Sequence, residues 1–146
     1  MKPSEKAFEL IRKYEGLVLH AYPDPATGGK PYTIGYGSTR HLDGTPISLG
    51  ETITKDQAEQ MMEHEVGIMA DQIKATVNQN QFDALCVFAY NVGIDGLLRS
   101  TLYKKVRYNP SDPSIEMEFN KWVFANHKIF QGLVDRRKAE WALYAG

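Results

Sequence analysis

Apolar positions recur three and four residues apart at Ala7, Phe8, Ile11 and Tyr14, behind Ser4 and up to Gly16. That spacing predicts a helix capped by Ser4, ended by Gly16 and carrying Glu15 in its last turn. The helical period then disappears. Leu17, Leu19 and Ala21 alternate with Val18, His20 and Tyr22, Tyr32-Thr33-Ile34 is β-prone, and glycine and proline crowd the stretch up to Gly50. Short strands joined by glycine turns are the natural reading there.

Helical signals return at Thr54-Lys-Asp-Gln57, a capping box that opens a long helix whose apolar face runs through Ala58, Met61, Met62, Ile68, Met69 and Ile73. The methionines read as core filling. A second box-like start, Asn78-Gln-Asn-Gln81, precedes Phe82-Asp-Ala-Leu-Cys-Val-Phe-Ala-Tyr90, which is apolar on nearly every side and closes at Asn91-Val92-Gly93. Such a helix belongs in the middle of a packed body. Further helices are expected at about 97–107, 115–125 and 133–143, separated by Asn109-Pro110, Asp112-Pro113 and Gly132. The sum is an α+β chain: a small strand-bearing lobe at about 15–53, a long connecting helix, and a larger helical lobe at about 76–146, with a cleft between lobes as the expected place for a substrate.

At 146 residues, with 42% hydrophobic and 24% charged residues, the chain is long enough for one domain with a real core. Cys86 is alone, so neither an internal disulfide nor a cysteine metal cluster can form. His20, His41, His64 and His127 show no ligand spacing, and neither metal nor cofactor is expected. The N-terminus lacks the apolar stretch of a secretory signal, and no eighteen apolar residues run together. Synthesis in the cytoplasm without stable membrane insertion is therefore expected.

Charge is unevenly spread. Residues 1–96 carry 8 Lys/Arg against 13 Asp/Glu, net −5, and residues 97–146 carry 9 against 5, net +4. The basic part, with Arg136, Arg137 and Lys138 in a row, is expected to be an exposed face that favours anionic polymers. No nucleic-acid-binding signature accompanies it, so nucleic acid is not the expected partner.

Cleaving a glycosidic bond usually takes one carboxylic acid to protonate the leaving oxygen and a second carboxylate to activate water or stabilise the developing cation. Glu15, at a helix end against the apolar run Gly16-Leu-Val-Leu19, and Asp24, in a turn between Pro23 and Pro25, are candidates. Two acids nine residues apart among eighteen carry little weight alone. The motif around them carries more: Glu15-Gly-Leu-Val-Leu-His-Ala-Tyr-Pro-Asp24 followed by Tyr32-Thr-Ile-Gly-Tyr-Gly37 resembles the active-site segment of the bacteriophage-type lysozymes, or endolysins, of glycoside hydrolase family 24. The resemblance continues through Asn80 to Gly93, Arg99-Ser-Thr-Leu102 and Gly132-Leu-Val-Asp-Arg-Arg-Lys-Ala-Glu-Trp141.

The resemblance implies a single lysozyme-like catalytic domain over 1–146, with its cleft between the two lobes. It implies hydrolysis of the β-1,4 bond between N-acetylmuramic acid and N-acetylglucosamine in peptidoglycan. Glu15 would take the general-acid position, Asp24 that of the second carboxylate, and Thr33 that of the threonine holding the attacking water. Tyr90 and Asn91 match positions that line the sugar cleft, a ring for stacking and an amide for the acetamido group. A monomer is expected, released to the wall by a separate membrane-permeabilising protein. Two departures stand out: three extra residues between Asp24 and Thr33 relative to the shortest relatives, and Ser38 where many carry a histidine. The alternatives are a lytic transglycosylase, which needs only the Glu, and a catalytically silent wall-binding protein.

Overall fold

The computed structural model describes all of residues 1–146. The chain divides into two compact units, residues 11–67 and residues 1–10 with 68–146, so the divisions fall inside the first two helices.

In the smaller unit, helix α1 (Glu5–Glu15) stops where Gly16 turns left-handed at φ 70°, as expected of a glycine just past a helix end. Strand β1 (Val18–Tyr22) pairs antiparallel with β2 (Thr33–Gly35), Val18 opposite Gly35 and Tyr22 opposite Thr33, with an irregularity between those pairs. The other side of β1 is joined by residues 51–53: Ala21 N–H donates to Glu51 and Ile53 N–H to Leu19, both at 2.9 Å. Helix α2 (Lys55–Ala70) starts with the predicted box. Gln57 N–H donates to Thr54 Oγ1 at 3.1 Å, and Thr54 N–H donates to Gln57 Oε1 at 2.8 Å. Ala21, Ile34, Ile47 and Met61 form a small core, with Tyr32 and Ile53 packed against it. Of the apolar face expected on α2, Ile68 points to solvent, and Val66 and Ala70 are buried instead.

The larger unit is built on α3 (Gln79–Val92), whose residues 82–89 are all buried. Asn78 caps it through a complete box with Gln81, and Gly93 at φ 101° ends it. Within the apolar run Asp83 is buried too. It accepts Ser4 N–H and Gln79 Nε2–H, each at 2.9 Å, and the Ser4 hydroxyl; the side chain expected to cap α1 thus donates to α3, and it is the Ser4 carbonyl that accepts Ala7 N–H, at 3.0 Å. The segment expected as one helix at 97–107 is two, α4 (Ile94–Arg99) and α5 (Thr101–Tyr108), because Ser100 turns extended and accepts Tyr103 N–H as a new cap. Helix α6 (Ile115–Asn120) is followed by a tight hairpin of β3 (Phe124–Ala125) and β4 (Lys128–Ile129), where 115–125 was expected to be helical throughout. Asn126 and His127 turn it with φ of 51° and 64°. Helix α7 (Gln131–Ala145) packs on α3, and Phe88 meets Phe119 and Trp122 edge-on at 5.8 and 5.4 Å.

The expected basic face needs a correction. Arg137 has no solvent exposure at all and pairs with Glu140, which is 1% exposed. A three-residue step on α7 places the two on one face, and that face is turned into the core.

Candidate active site

Glu15 is half-buried at the C-terminal end of α1. Its carboxyl lies against Gly37: a Cβ placed on Gly37 would sit 3.2 Å from Glu15 Oε2, and the backbone there has φ 88°. Only glycine meets both conditions without strain. Gly37 belongs to a tight loop closed by Ile34 and Ser38, whose backbones exchange hydrogen bonds at 2.8 and 2.9 Å. Ser38 is buried, and its Oγ has no hydrogen-bond partner. Gly35, at φ 68°, leaves room for Ala58, so the loop packs closely on α2.

The tyrosine between these glycines is tied to α1 through Glu59. Tyr36 donates to Glu59 Oε1 at 3.0 Å, Arg12 Nε reaches both Glu59 oxygens at 2.9 Å, and Arg12 Nη2 reaches Oε2 at 2.9 Å. This fork holds the Glu59 carboxyl below the usual carboxylate range, chiefly through the Arg12 hydrogen bonds, and burial raises the Tyr36 hydroxyl above its ordinary value. Arg12 stands one helical turn before Glu15, and Tyr36 directly precedes Gly37. None of these three was singled out in the sequence, where Arg12 and Glu59 look like ordinary surface charges 47 residues apart.

Tyr22 lies close enough to Glu15 for its hydroxyl to be raised by burial and, second, by the Glu15 charge. Thr33, half-buried, is the cross-strand partner of Tyr22. Asp24 follows Tyr22 by two residues in a compact turn: its Oδ1 accepts Ala26 N–H at 2.8 Å, its N–H donates to Gly29 at 2.9 Å, and its carbonyl accepts Gly28 N–H at 2.7 Å. The carboxylate is thereby oriented by its own loop through Oδ1. Tyr22 thus has the Glu15 charge near it, Thr33 opposite it across the ladder and Asp24 two residues further along the chain.

Tyr90 and Asn91 belong to the larger unit, half-buried at the end of α3. Asn91 lines a hollow of about 360 Å³ together with Lys121, Trp122 and Phe124, and its Oδ1 accepts Arg137 Nη2 at 2.6 Å.

The family model for phage lysozyme matches residues 12–140. The endolysin of Acyrthosiphon pisum secondary endosymbiont phage 1 is 39% identical over 99% of this chain and 98% of its own length. The endolysin of Bacillus phage PZA is 40% identical over 99% of this chain, which spans only 55% of that longer protein. Among solved structures, an endolysin from Escherichia coli O157:H7 phage FAHEc1 superposes with a TM-score of 0.85 at 35% identity, covering 99% of this chain and 93% of that one. A mutant of P22 lysozyme gives 0.80 at 27% identity over 100% and 99%. With its family model running through nearly all of the chain and a relative of equal length at this identity, the protein belongs to the phage lysozyme family.

Proposed function

We propose that this chain hydrolyses the β-1,4 bond between N-acetylmuramic acid and N-acetylglucosamine with Glu15 as general acid, Asp24 as second carboxylate and Thr33 as holder of the attacking water. Its family makes it a peptidoglycan-hydrolysing glycoside hydrolase; the assignment of roles is what the geometry supports. The observation that carries it is the seating of the Glu15 carboxyl against Gly37 beside Tyr22, with Thr33 across the ladder from Tyr22 and Asp24 two residues beyond. One acid comes from a helix end and the other from a turn with its own hydrogen bonds. Their surroundings therefore differ, as two-carboxylate chemistry requires. A threonine on a short strand is stiff at χ1, and its hydroxyl can both donate to and accept from a water.

In the reaction Glu15 protonates the leaving glycosidic oxygen while the water held by Thr33 and Asp24 attacks the anomeric carbon; its proton passes to Asp24. Tyr90 offers a ring to a sugar face and Asn91 an amide to an acetamido group. The protein works as a monomer made in the cytoplasm and reaches the wall after a separate membrane-permeabilising protein opens the way. Cells expressing the chain alone should then stay intact while their lysate clears walls.

Glu15→Gln keeps the shape and removes the acid. A positioned general acid contributes about 10²- to 10⁴-fold, so wall clearing should fall by at least that factor with unfolding unchanged. Full clearing by this variant removes Glu15 from the role. Digestion in ¹⁸O-labelled water should put the label on reducing-end muramic acid; anhydro-muramyl products would instead establish the transglycosylase alternative.

A further inference from the structure

Beneath Asn91 lies a charge with no access to water. Arg137 is fully buried on α7, and its guanidinium stacks over the Phe88 ring at 4.9 Å. Its Nη2 donates to Asn91 Oδ1 at 2.6 Å and to Glu140 Oε2 at 3.0 Å, and its Nη1 donates to the Trp122 carbonyl at 3.3 Å. Nε and Glu140 Oε1 approach to 2.8 Å but lack the alignment of a hydrogen bond. Stability alone is a poor reason for such a pair, because a buried ion pair gains little over apolar packing of the same volume.

The chemistry of the contact fixes what Asn91 presents. A guanidinium only donates, so the asparagine atom that faces it must be the carbonyl oxygen. The amide is planar; once Oδ1 is turned inward, the NH₂ group is directed away from Arg137. Asn91 lines the 360 Å³ hollow, whose walls include Trp122 and Phe124, with Arg137 fully buried behind it. The hollow falls in the range of small-ligand sites, with aromatic faces beside one fixed polar group.

Resting on the assignment of Asn91 to the sugar cleft, we infer that Arg137, held by Glu140, is a positioning residue that fixes Asn91 as a hydrogen-bond donor and so makes this hollow selective for N-acetylated sugars. An acetamido carbonyl accepts from that NH₂. A free amine at the same sugar position, protonated and without an acceptor, does not. Arg137 never touches the glycan; it works through Asn91.

Three variants on N-acetylated and chemically de-N-acetylated peptidoglycan separate this role from a structural one. Asn91→Asp keeps an oxygen towards Arg137, loses the NH₂ and puts a carboxylate oxygen in its place. Its KM on N-acetylated wall should rise roughly tenfold, the worth of about one hydrogen bond, while on de-N-acetylated wall the new carboxylate meets a protonated amine and KM should fall. Arg137→Lys keeps the charge and loses the fork. It should show the same KM defect confined to N-acetylated wall. Glu140→Gln leaves an acceptor beside Arg137 and should shift KM in the same direction by less. If Asn91→Asp leaves KM unchanged, Asn91 does not bind the sugar and the inference falls with that assignment. If Asn91→Asp raises KM while a folded Arg137→Lys does not, Asn91 stays and the positioning role alone is overturned. Should Arg137→Lys not fold, the side-chain amide resonances of Asn91 in the wild-type protein decide. They should shift with the N-acetylglucosamine trimer and not with the glucosamine trimer, and equal or absent shifts overturn the inference.

Discussion

The two units each contain an arginine–glutamate pair, and the pairs behave oppositely. Arg12 and Glu59 are 26% and 21% exposed and meet in a full fork, with Tyr36 adding a third donor. Arg137 and Glu140 are 0% and 1% exposed, and Arg137 divides its donors among Glu140, Asn91 and Trp122. In the first pair the arginine's hydrogen bonds outweigh desolvation and pull the Glu59 carboxyl down. In the second, desolvation outweighs the arginine and pushes the Glu140 carboxyl up to about 8. The two glutamates thus titrate in opposite directions, and access to water is the difference.

The largest effect should come from breaking the buried pair. Glu140→Ala strips the buried Arg137 of its carboxyl partner, costing about 3–5 kcal/mol in urea unfolding. Glu59→Ala leaves Arg12 able to reach water and should cost about 1–2 kcal/mol. Equal losses would show that burial is not what separates the two pairs.

The pH profiles sharpen the contrast. A carboxyl whose pKa is raised by folding contributes stability in full below its unfolded value of 4.5, and loses it as pH rises through about 8. Glu59, lowered by folding, contributes above 4.5 and loses its share as pH falls. Glu140→Gln should therefore flatten the alkaline arm of the unfolding profile and Glu59→Gln the acid arm. An alkaline arm that persists in Glu140→Gln would place its origin elsewhere.

A third comparison sets side-chain pairing against backbone shape. Around Glu15 the geometry depends on Gly37, so Gly37→Ala should cost about 1–3 kcal/mol from its left-handed backbone and should also lower kcat by pushing on the Glu15 carboxyl. If activity survives while stability falls, the contact with Gly37 does not set the acid's position.

What the sequence reveals follows the range of the interaction. Thr54–Gln57 and Asn78–Gln81 are legible because a capping box is closed within four residues, and Gly16 because a left-handed turn after a helix calls for glycine. The break at Ser100 was missed: Ser100 accepts Tyr103 N–H, but no Glu or Gln at position 103 completes a box. The hairpin at 124–129 was missed because His127 occupies a left-handed turn position where glycine usually gives the signal. Arg137 looked like one of three surface cations. Glu140 three residues on hinted at a pair, but only the packing of α7 on α3 buries it. Asp24 and Thr33 are proposed from their motif; that Tyr22 stands opposite Thr33 depends on strand register, and the irregularity in β1 hides that register from any simple alternation.

The smallest effect concerns a pair that water nearly reaches. His41 Nε2 and Glu51 Oε1 are 2.6 Å apart, their side chains 33% and 32% exposed, and Glu51 also accepts Ser48 N–H. The His41 ring is raised above its ordinary 6.5, first by its hydrogen bond to Glu51. Glu51 is lowered below 4.5, first by Ser48 N–H and then by His41. A raised histidine contributes fully below 6.5 and loses its share as pH climbs through the raised value. A lowered carboxyl contributes above 4.5 and loses its share as pH drops. Both terms are therefore present together between 4.5 and 6.5. Exposed as the pair is, its contribution should be small. The Tm difference between wild type and His41→Gln should be widest at about pH 5.5 and narrow by about pH 9. Because Glu140 titrates alike in both proteins, it cancels from that difference. A gap that stays constant with pH would mean that His41 acts only through its neutral hydrogen bonds to Thr45, at 2.9 and 3.1 Å, and not through its charge.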